Sequence, residues 1–142
     1  MKKKVLALIL SVSMVFTVSL PAFAQQKSTS NQNSGIHVLW DNTDVVSVNL
    51  NFSGDRADCA TYVIGKSGTS KITANVLLKQ VTSNGTKTIK TWTGLSASGN
   101  EFYFDKSYYV SSGYTYELEI DAKVYRNGTE ESIIKTDRDY CG

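Results

Sequence analysis

Short runs of alternating apolar and polar residues occupy the chain from residue 36 onward. The clearest run places Val46, Val48, Leu50 and Phe52 at every second position, with Ser or Asn between them. A period of two is typical of a β-strand that buries one face. Similar extended runs predict six further strands, at residues 59–64, 72–78, 86–93, 101–110, 114–124 and 129–137.

Glycine and asparagine separate these runs. Ser53-Gly54-Asp55 and Ser83-Asn84-Gly85 predict turns, and Asn127-Gly128 is the strongest hairpin signal in the chain. Residues 65–70 and 94–100 are small and polar, which predicts loops. No run has the period of an amphipathic helix. Seven short strands at this spacing predict an all-β fold, a single antiparallel β-sandwich.

The first 24 residues have the three parts of a secretory signal peptide. Lys2, Lys3 and Lys4 precede an apolar run at residues 5–18, and a small-x-small ending follows at residues 22–24. The apolar run is shorter than the roughly 20 residues of a membrane span, so an uncleaved anchor is the weaker interpretation. Residues 25–35 are polar and predict a disordered leader. We therefore expect residues 36–142 to form the domain.

Removal of the signal changes the charge of the working protein. The whole chain carries 15 Lys and Arg against 13 Asp and Glu, but residues 25–142 carry 12 against 13. A basic excess that favours nucleic acid therefore belongs to the discarded segment. We expect a secreted, extracellular protein that binds no nucleic acid and does not insert into a membrane after cleavage.

Two cysteines, Cys59 and Cys141, follow the predicted signal peptide. Disulfides persist in the oxidising compartments that exported proteins enter, so these residues predict one intramolecular bridge. Closing a loop of this length contributes about 4 to 5 kcal/mol in the chain-entropy model. Free thiols or an intermolecular bridge are the alternatives. A structural zinc site needs four ligands, which two Cys and the single His37 do not supply.

Residues 110–122, Val-Ser-Ser-Gly-Tyr-Thr-Tyr-Glu-Leu-Glu-Ile-Asp-Ala, resemble the corner of an immunoglobulin-like or fibronectin type III domain. The resemblance implies that Tyr116, after the Gly113 turn, is a corner tyrosine whose hydroxyl bonds to the upstream loop. An immunoglobulin inter-sheet disulfide would place its second cysteine where this chain has Leu118. The predicted bridge to Cys141 would instead lie near the C-terminus.

The whole arrangement also resembles small secreted proteins of Gram-positive bacteria. The shared features are a Lys-rich signal, one β-sandwich domain and a late hairpin, Tyr-Arg-Asn-Gly-Thr-Glu-Glu at residues 125–131. This family has no assigned biochemical activity. The resemblance therefore supports the fold and leaves the function open.

Aromatic residues are the main candidates for ligand binding. Alternation on a strand places Phe102 and Phe104 on one face and Tyr103 on the other. Exposed Tyr and Trp rings offer flat, half-polar contact area that suits sugars or protein partners. The alternative is that Phe rings fill the core and Tyr rings cover strand edges. The candidate binding residues are Trp92, Tyr103, Tyr108, Tyr109 and Tyr125.

Catalysis has weaker support. His37 is the one histidine, and we expect it on the surface, so no nucleophile and base can be named together. Glu130 and Glu131 point to opposite faces of a regular strand. Asp137 and Asp139 share a face but have no loop that would complete a calcium site. We expect no catalytic residue, no metal and no cofactor.

The sequence therefore predicts a secreted, non-enzymatic binding module. Its partner is an unidentified protein or a cell-wall glycan, and an antagonist of another protein would use the same scaffold. A cell-wall or polysaccharide binder that uses the exposed Trp and Tyr is the first alternative. A small secreted hydrolase built on paired carboxylates is the second.

Overall fold

The computed structural model describes residues 40–142, where seven strands form two antiparallel sheets. The strands are β1 (Thr43–Ser53), β2 (Arg56–Gly65), β3 (Thr69–Thr82), β4 (Gly85–Ser98), β5 (Glu101–Tyr109), β6 (Tyr114–Arg126) and β7 (Thr129–Cys141). One sheet has the order β1-β2-β5 and the other β4-β3-β6-β7. The predicted signal peptide, the leader and His37 lie outside the described residues.

One hydrophobic core joins the two sheets, as expected when each strand alternates between core and solvent. The three-stranded sheet contributes Val46, Leu50, Val63, Phe102 and Phe104. The four-stranded sheet contributes a larger set of buried side chains, Ile72, Val76, Leu78, Leu118, Ile120, Val124 and Ile133. This all-β arrangement is consistent with the predicted β-sandwich.

Several strands are longer than the sequence predicted, among them β2, which begins at Arg56, and β3, which spans Thr69–Thr82. β4 continues through the predicted loop to Ser98, because Gly94 adopts a positive φ of 69° and forms part of a β-bulge. The bulge accommodates one extra residue of β4 between the pairs Val76–Trp92 and Ala74–Leu95. β7 continues beyond residue 137 to Cys141, because it stays paired with β6 along its whole length.

The predicted disulfide between Cys59 and Cys141 is not formed, and both residues are buried free thiols. Cys59 lies level with Leu50, whose N–H donates to Asp137. Cys141 lies four residues further along β7 and donates to the carbonyl of Gly54 at 3.5 Å. Four strand residues span about 13 Å, whereas bridged Cα atoms lie within about 7 Å. The alignment of β1 against β7 therefore separates the two sulfurs.

Side chains of β7 bind the free backbone edge of β1, in a contact that we call the β1–β7 seam. Lys135 Nζ donates to the carbonyl of Val46 at 2.6 Å. Asp137 Oδ2 accepts from the N–H of Leu50 at 2.9 Å. Glu131 accepts from the N–H groups of residues 41 and 42 and from a Thr hydroxyl. The seam occupies backbone groups that would otherwise pair with another strand.

Tyr116 lies at the start of β6 and is 2 % exposed. Its hydroxyl donates to the carbonyl of Ser111 at 2.8 Å, across the turn that contains Gly113. Gly113 has a φ of 85°, a conformation that side chains rarely adopt. The contact has the geometry of a tyrosine corner.

Candidate functional site

The outer face of the three-stranded sheet is built from the outward-pointing residues of β1, β2 and β5. Strand pairing places these residues in rows that cross the sheet. One row is Ser47, Tyr62 and Tyr103, and the next is Asn49, Ala60 and Asp105. A row of two tyrosines therefore lies beside a row with a methyl group at its centre.

Tyr62 and Tyr103 stack on this face. Their ring centroids are 4.3 Å apart and the ring planes differ by 26°. Tyr103 is 67 % exposed, which leaves much of its ring open to solvent. Side-chain hydrogen bonding with Tyr103, followed by burial, raises the pKa of Tyr62 to about 12. The direction of the shift means that the Tyr62 hydroxyl donates its proton to Tyr103.

A shallow depression of about 270 Å³ lies beside the tyrosine pair, and we call it the Ala60 depression. Its sides carry Asn49 on β1 and Asp105 on β5, with Ser47 and the two tyrosines at one end. It exists because Ala60 is short while its row neighbours are longer. Asn49 Oδ1 accepts from Asn51 Nδ2 at 3.2 Å, which holds that amide in place.

The outer face of the four-stranded sheet has a different character, because long ion-paired side chains cover it. Glu117 is only 6 % exposed and forms an ion pair with Arg138. Lys79 lies between Glu117 and Glu119 and contacts Glu119 at 2.6 Å. These groups already have partners within the protein.

A second depression, of about 170 Å³, lies on the four-stranded sheet where the Gly94 bulge removes a side chain. Asn75, Asp121 and Lys123 line it, together with Thr73, Ala74, Gly94, Leu95 and Ser96. No aromatic side chain lines it, and Lys123 is bound to Glu130 at 2.7 Å. It lacks the aromatic surface that borders the Ala60 depression.

The five aromatic residues that the sequence suggested for binding lie in different places. Tyr103 lines the Ala60 depression, and Tyr109 is 75 % exposed at the far end of the same strand. Trp92 and Tyr108 flank Lys90, whose Nζ lies 5.8 and 5.7 Å from their ring centroids. Tyr125 lies on the four-stranded sheet, under the ammonium of Lys71 of the same sheet.

Trp92 and Tyr108 are part of the packing rather than free surface. Trp92 meets Phe104 edge-on at 5.1 Å, and both Trp92 and Tyr108 are half-buried against the core. The stem of Lys90 covers this side, and its charge interacts with both rings. Only Tyr103 of the five meets a second tyrosine beside a depression.

Sequence reasoning missed Tyr62, Ala60 and Asn49. Each lies at an outward position of a predicted strand, but strand alternation alone does not say which outward residues become neighbours. The pairing of β2 with β5 decides that. The signal available in the sequence was that one short Ala and two Tyr residues occupy outward-facing strand positions.

The carboxylates considered for catalysis have other partners. Glu130 binds Lys123, whose charge and hydrogen bond lower the pKa of Glu130. Glu131 and Asp137 belong to the β1–β7 seam. Asp139 accepts from the N–H of its neighbour Tyr140. Within residues 40–142 no group of three or more His, Cys, Asp and Glu side chains could hold a metal ion.

No protein-family model and no curated protein matches the sequence. Among solved structures, CsgH from R. palustris has a TM-score of 0.40 and 12 % identity, covering 66 % of this chain and 87 % of that one. Spo0M, a sporulation control protein from Bacillus subtilis, has a TM-score of 0.33 and 17 % identity, covering 69 % and 47 %. Similarities at this level indicate no shared function.

No helix within residues 40–142 has the length and apolar character needed to cross a membrane.

Proposed function

We propose that this chain is a secreted, non-enzymatic binding module that attaches to cell-wall material through the outer face of its three-stranded sheet. The stacked Tyr62–Tyr103 pair beside the Ala60 depression carries this proposal. Rigid aromatic rings offer large contact area with little loss of side-chain entropy, and the depression adds polar groups at fixed positions.

The comparison between the two outer sheet faces supports the choice of surface. On the four-stranded sheet, Lys79, Glu117 and Arg138 already neutralise one another. On the three-stranded sheet, Tyr103 remains largely exposed and Asp105 lines an open depression. A ligand gains more by binding where the protein has not already satisfied its own polar groups.

An immunoglobulin-like or fibronectin type III-like fold is part of the proposal. The Tyr116 hydroxyl bond to Ser111 and the strand order support it. In immunoglobulin constant-type domains the fourth strand joins the sheet of the first two strands, whereas here β4 pairs with β3, as the added strand of variable-type domains does. Such domains serve as stable scaffolds for binding surfaces.

Export is the second part of the proposal, and its support is the signal-like pattern of residues 1–24. A Gram-positive bacterial source remains part of the same inference. The near balance of 12 Lys and Arg against 13 Asp and Glu after residue 24 favours a target that is not recognised through bulk charge.

A hydrolase is the less favoured alternative. Glycoside hydrolysis uses two carboxyl groups on opposite sides of the scissile bond. Each of the two depressions is lined by a single carboxylate, Asp105 in one and Asp121 in the other. The geometry therefore supports binding better than hydrolysis.

Sedimentation with insoluble peptidoglycan tests the proposal. We expect the purified domain to sediment with the polymer, and Tyr103→Ala to remain in the supernatant. Tyr109→Ala is the matched control, because Tyr109 is an exposed tyrosine on the same strand and face. Equal sedimentation of the parent protein and Tyr103→Ala would contradict the proposed binding face, as would equal losses in the two variants.

A further inference from the structure

The geometry points to one neutral sugar ring as the group that the Ala60 depression binds, lying over Ala60 between Asn49 and Asp105 with an apolar face against the Tyr62–Tyr103 pair. This inference rests on the proposed binding function and names its ligand class. Within cell-wall material, the predicted ligand is the glycan and not the peptide or a charged polymer.

The size of the depression supports a single ring. β1 and β5 flank β2, so their backbones are about 10 Å apart. A ring about 5 Å across with a hydrogen bond of about 2.8 Å on either side spans a similar width. The volume of about 270 Å³ is below the range typical of drug-sized ligands, which start at about 300 Å³.

The polar groups suit hydroxyl ligands. Asp105 is an acceptor on one side of the depression, and the amide of Asn49 supplies a donor on the other, because its Oδ1 already accepts from Asn51. The Tyr62 hydroxyl donates to Tyr103, so its oxygen can act as a further acceptor at this end of the depression. A sugar hydroxyl both donates and accepts, so it can bind on either side.

The charges disfavour ionic ligands. Asp105 lines the depression and Glu101 lies four residues before it on the same face of β5, so an anionic polymer would meet repulsion. Among the described residues, Arg56 carries the positive charge of this outer face, and it forms an ion pair with Asp58 at 3.0 Å. A cationic ligand near Asp105 would face the amide donor of Asn49 across the depression.

The aromatic pair supplies an apolar surface at one end of the depression. Tyr62 and Tyr103 stack across β2 and β5 at 4.3 Å, so the edges of both rings border the row that contains Ala60. A ring held by stacking needs little reorganisation when a ligand arrives. The pair and the depression are adjacent, so one sugar ring can contact both.

Titration with two soluble neutral oligosaccharides, cellohexaose and hexa-N-acetylchitohexaose, tests the inference by calorimetry and by amide chemical shifts. We expect at least one to bind, with shifts centred on Ala60 and Asn49. Tyr103→Ala and the depression-filling Ala60→Leu should each weaken binding about tenfold, the effect of losing one aromatic or shape contact. Tyr109→Ala should bind like the parent protein.

Polylysine and polyglutamate at low and high salt complete the test. Binding of neither oligosaccharide would overturn the sugar inference, and so would binding of a charged polymer alone that high salt abolishes. If Tyr103-dependent sedimentation with peptidoglycan persists in that case, the proposed function stands and only the ligand class fails. Circular dichroism confirms that each variant is folded.

Discussion

At the scale of single residues, the hydroxyl of Thr61 lies in the core without a partner. Thr61 is 3 % exposed, and its Oγ1 makes no hydrogen bond with the described residues. Thr43 is buried to the same degree, but its hydroxyl donates to Glu131 at 2.8 Å. Comparing the two threonines therefore distinguishes the free-energy cost of a buried hydroxyl without a partner from the gain when a buried hydroxyl forms a hydrogen bond.

We predict that Thr61→Val stabilises the protein by about 1 kcal/mol, because valine has a similar shape and removes an unsatisfied polar atom. Thr43→Val should destabilise it by a similar amount, because Glu131 loses a donor. Urea unfolding of both variants measures the difference. A lower stability for Thr61→Val would show that its hydroxyl is satisfied in the folded protein.

Cys59 and Cys141 are not bonded to each other, so each is a separate buried thiol. Burial raises the pKa of Cys59 to about 12, and burial likewise raises the pKa of Cys141. Both thiols therefore bind their protons more tightly in the folded protein than in the unfolded chain. This contribution to stability is fully present below about pH 9 and is lost as the pH rises through about 12.

We predict that iodoacetamide at pH 8 leaves the folded protein unmodified, because thiolate is the reactive form and both sulfurs are buried. In denaturant without reductant, two adducts should form. Intact mass spectrometry counts them. A mass that shows no adducts until reductant is added would demonstrate the disulfide that this structure lacks.

At the scale of elements, the β1–β7 seam joins the two sheets by side chains bound to backbone. Asp137 accepts from Leu50 and Lys135 donates to Val46. The opposite side of the sandwich is protected differently. β4 has two irregularities in its pairing with β3, and it carries Lys87 and Lys90, features that discourage pairing with another sheet.

We predict that Asp137→Ala lowers stability by about 1 kcal/mol and increases hydrogen exchange at the amide of Leu50, which loses its acceptor. Asp139→Ala is the matched control, since Asp139 accepts only from the adjacent N–H of Tyr140 among the described residues. Exchange measured by NMR resolves the site. Equal protection of Leu50 in both variants would contradict the seam.

The sequence predicted the elements better than it predicted their neighbours. Strand alternation follows from the pleat, so the inward positions of Val46, Leu50, Phe102 and Phe104 were readable. Register between strands depends on turns, bulges and the packing of two sheets, which no local pattern records. That is why Tyr62 was missed beside Tyr103.

At the scale of the whole molecule, the same limit explains the wrong disulfide prediction. Two cysteines permit one intramolecular pair, but bonding requires their strands to align at the same level. β1 and β7 align through the Asp137–Leu50 bond, which places Cys141 near Gly54 instead of near Cys59. The candidate site was predicted only in part, through Tyr103.

The two sheets also contribute different features to the whole molecule. The four-stranded sheet supplies most of the large buried aliphatic side chains and carries the ion-paired outer face. The three-stranded sheet carries the open tyrosine pair. Changes at Tyr103 or Asn49 therefore alter the outer surface without removing a core side chain.

The β1–β7 seam sets the order in which the chain can finish folding. Among the described residues, the free backbone edge of β1 bonds to Lys135 and Asp137, which belong to the last of the seven strands. A growing chain therefore cannot complete the seven-stranded arrangement until β7 has been synthesised, and contacts this distant in sequence form slowly. Until β7 has been added, the backbone groups of Val46 and Leu50 on this edge lack these partners.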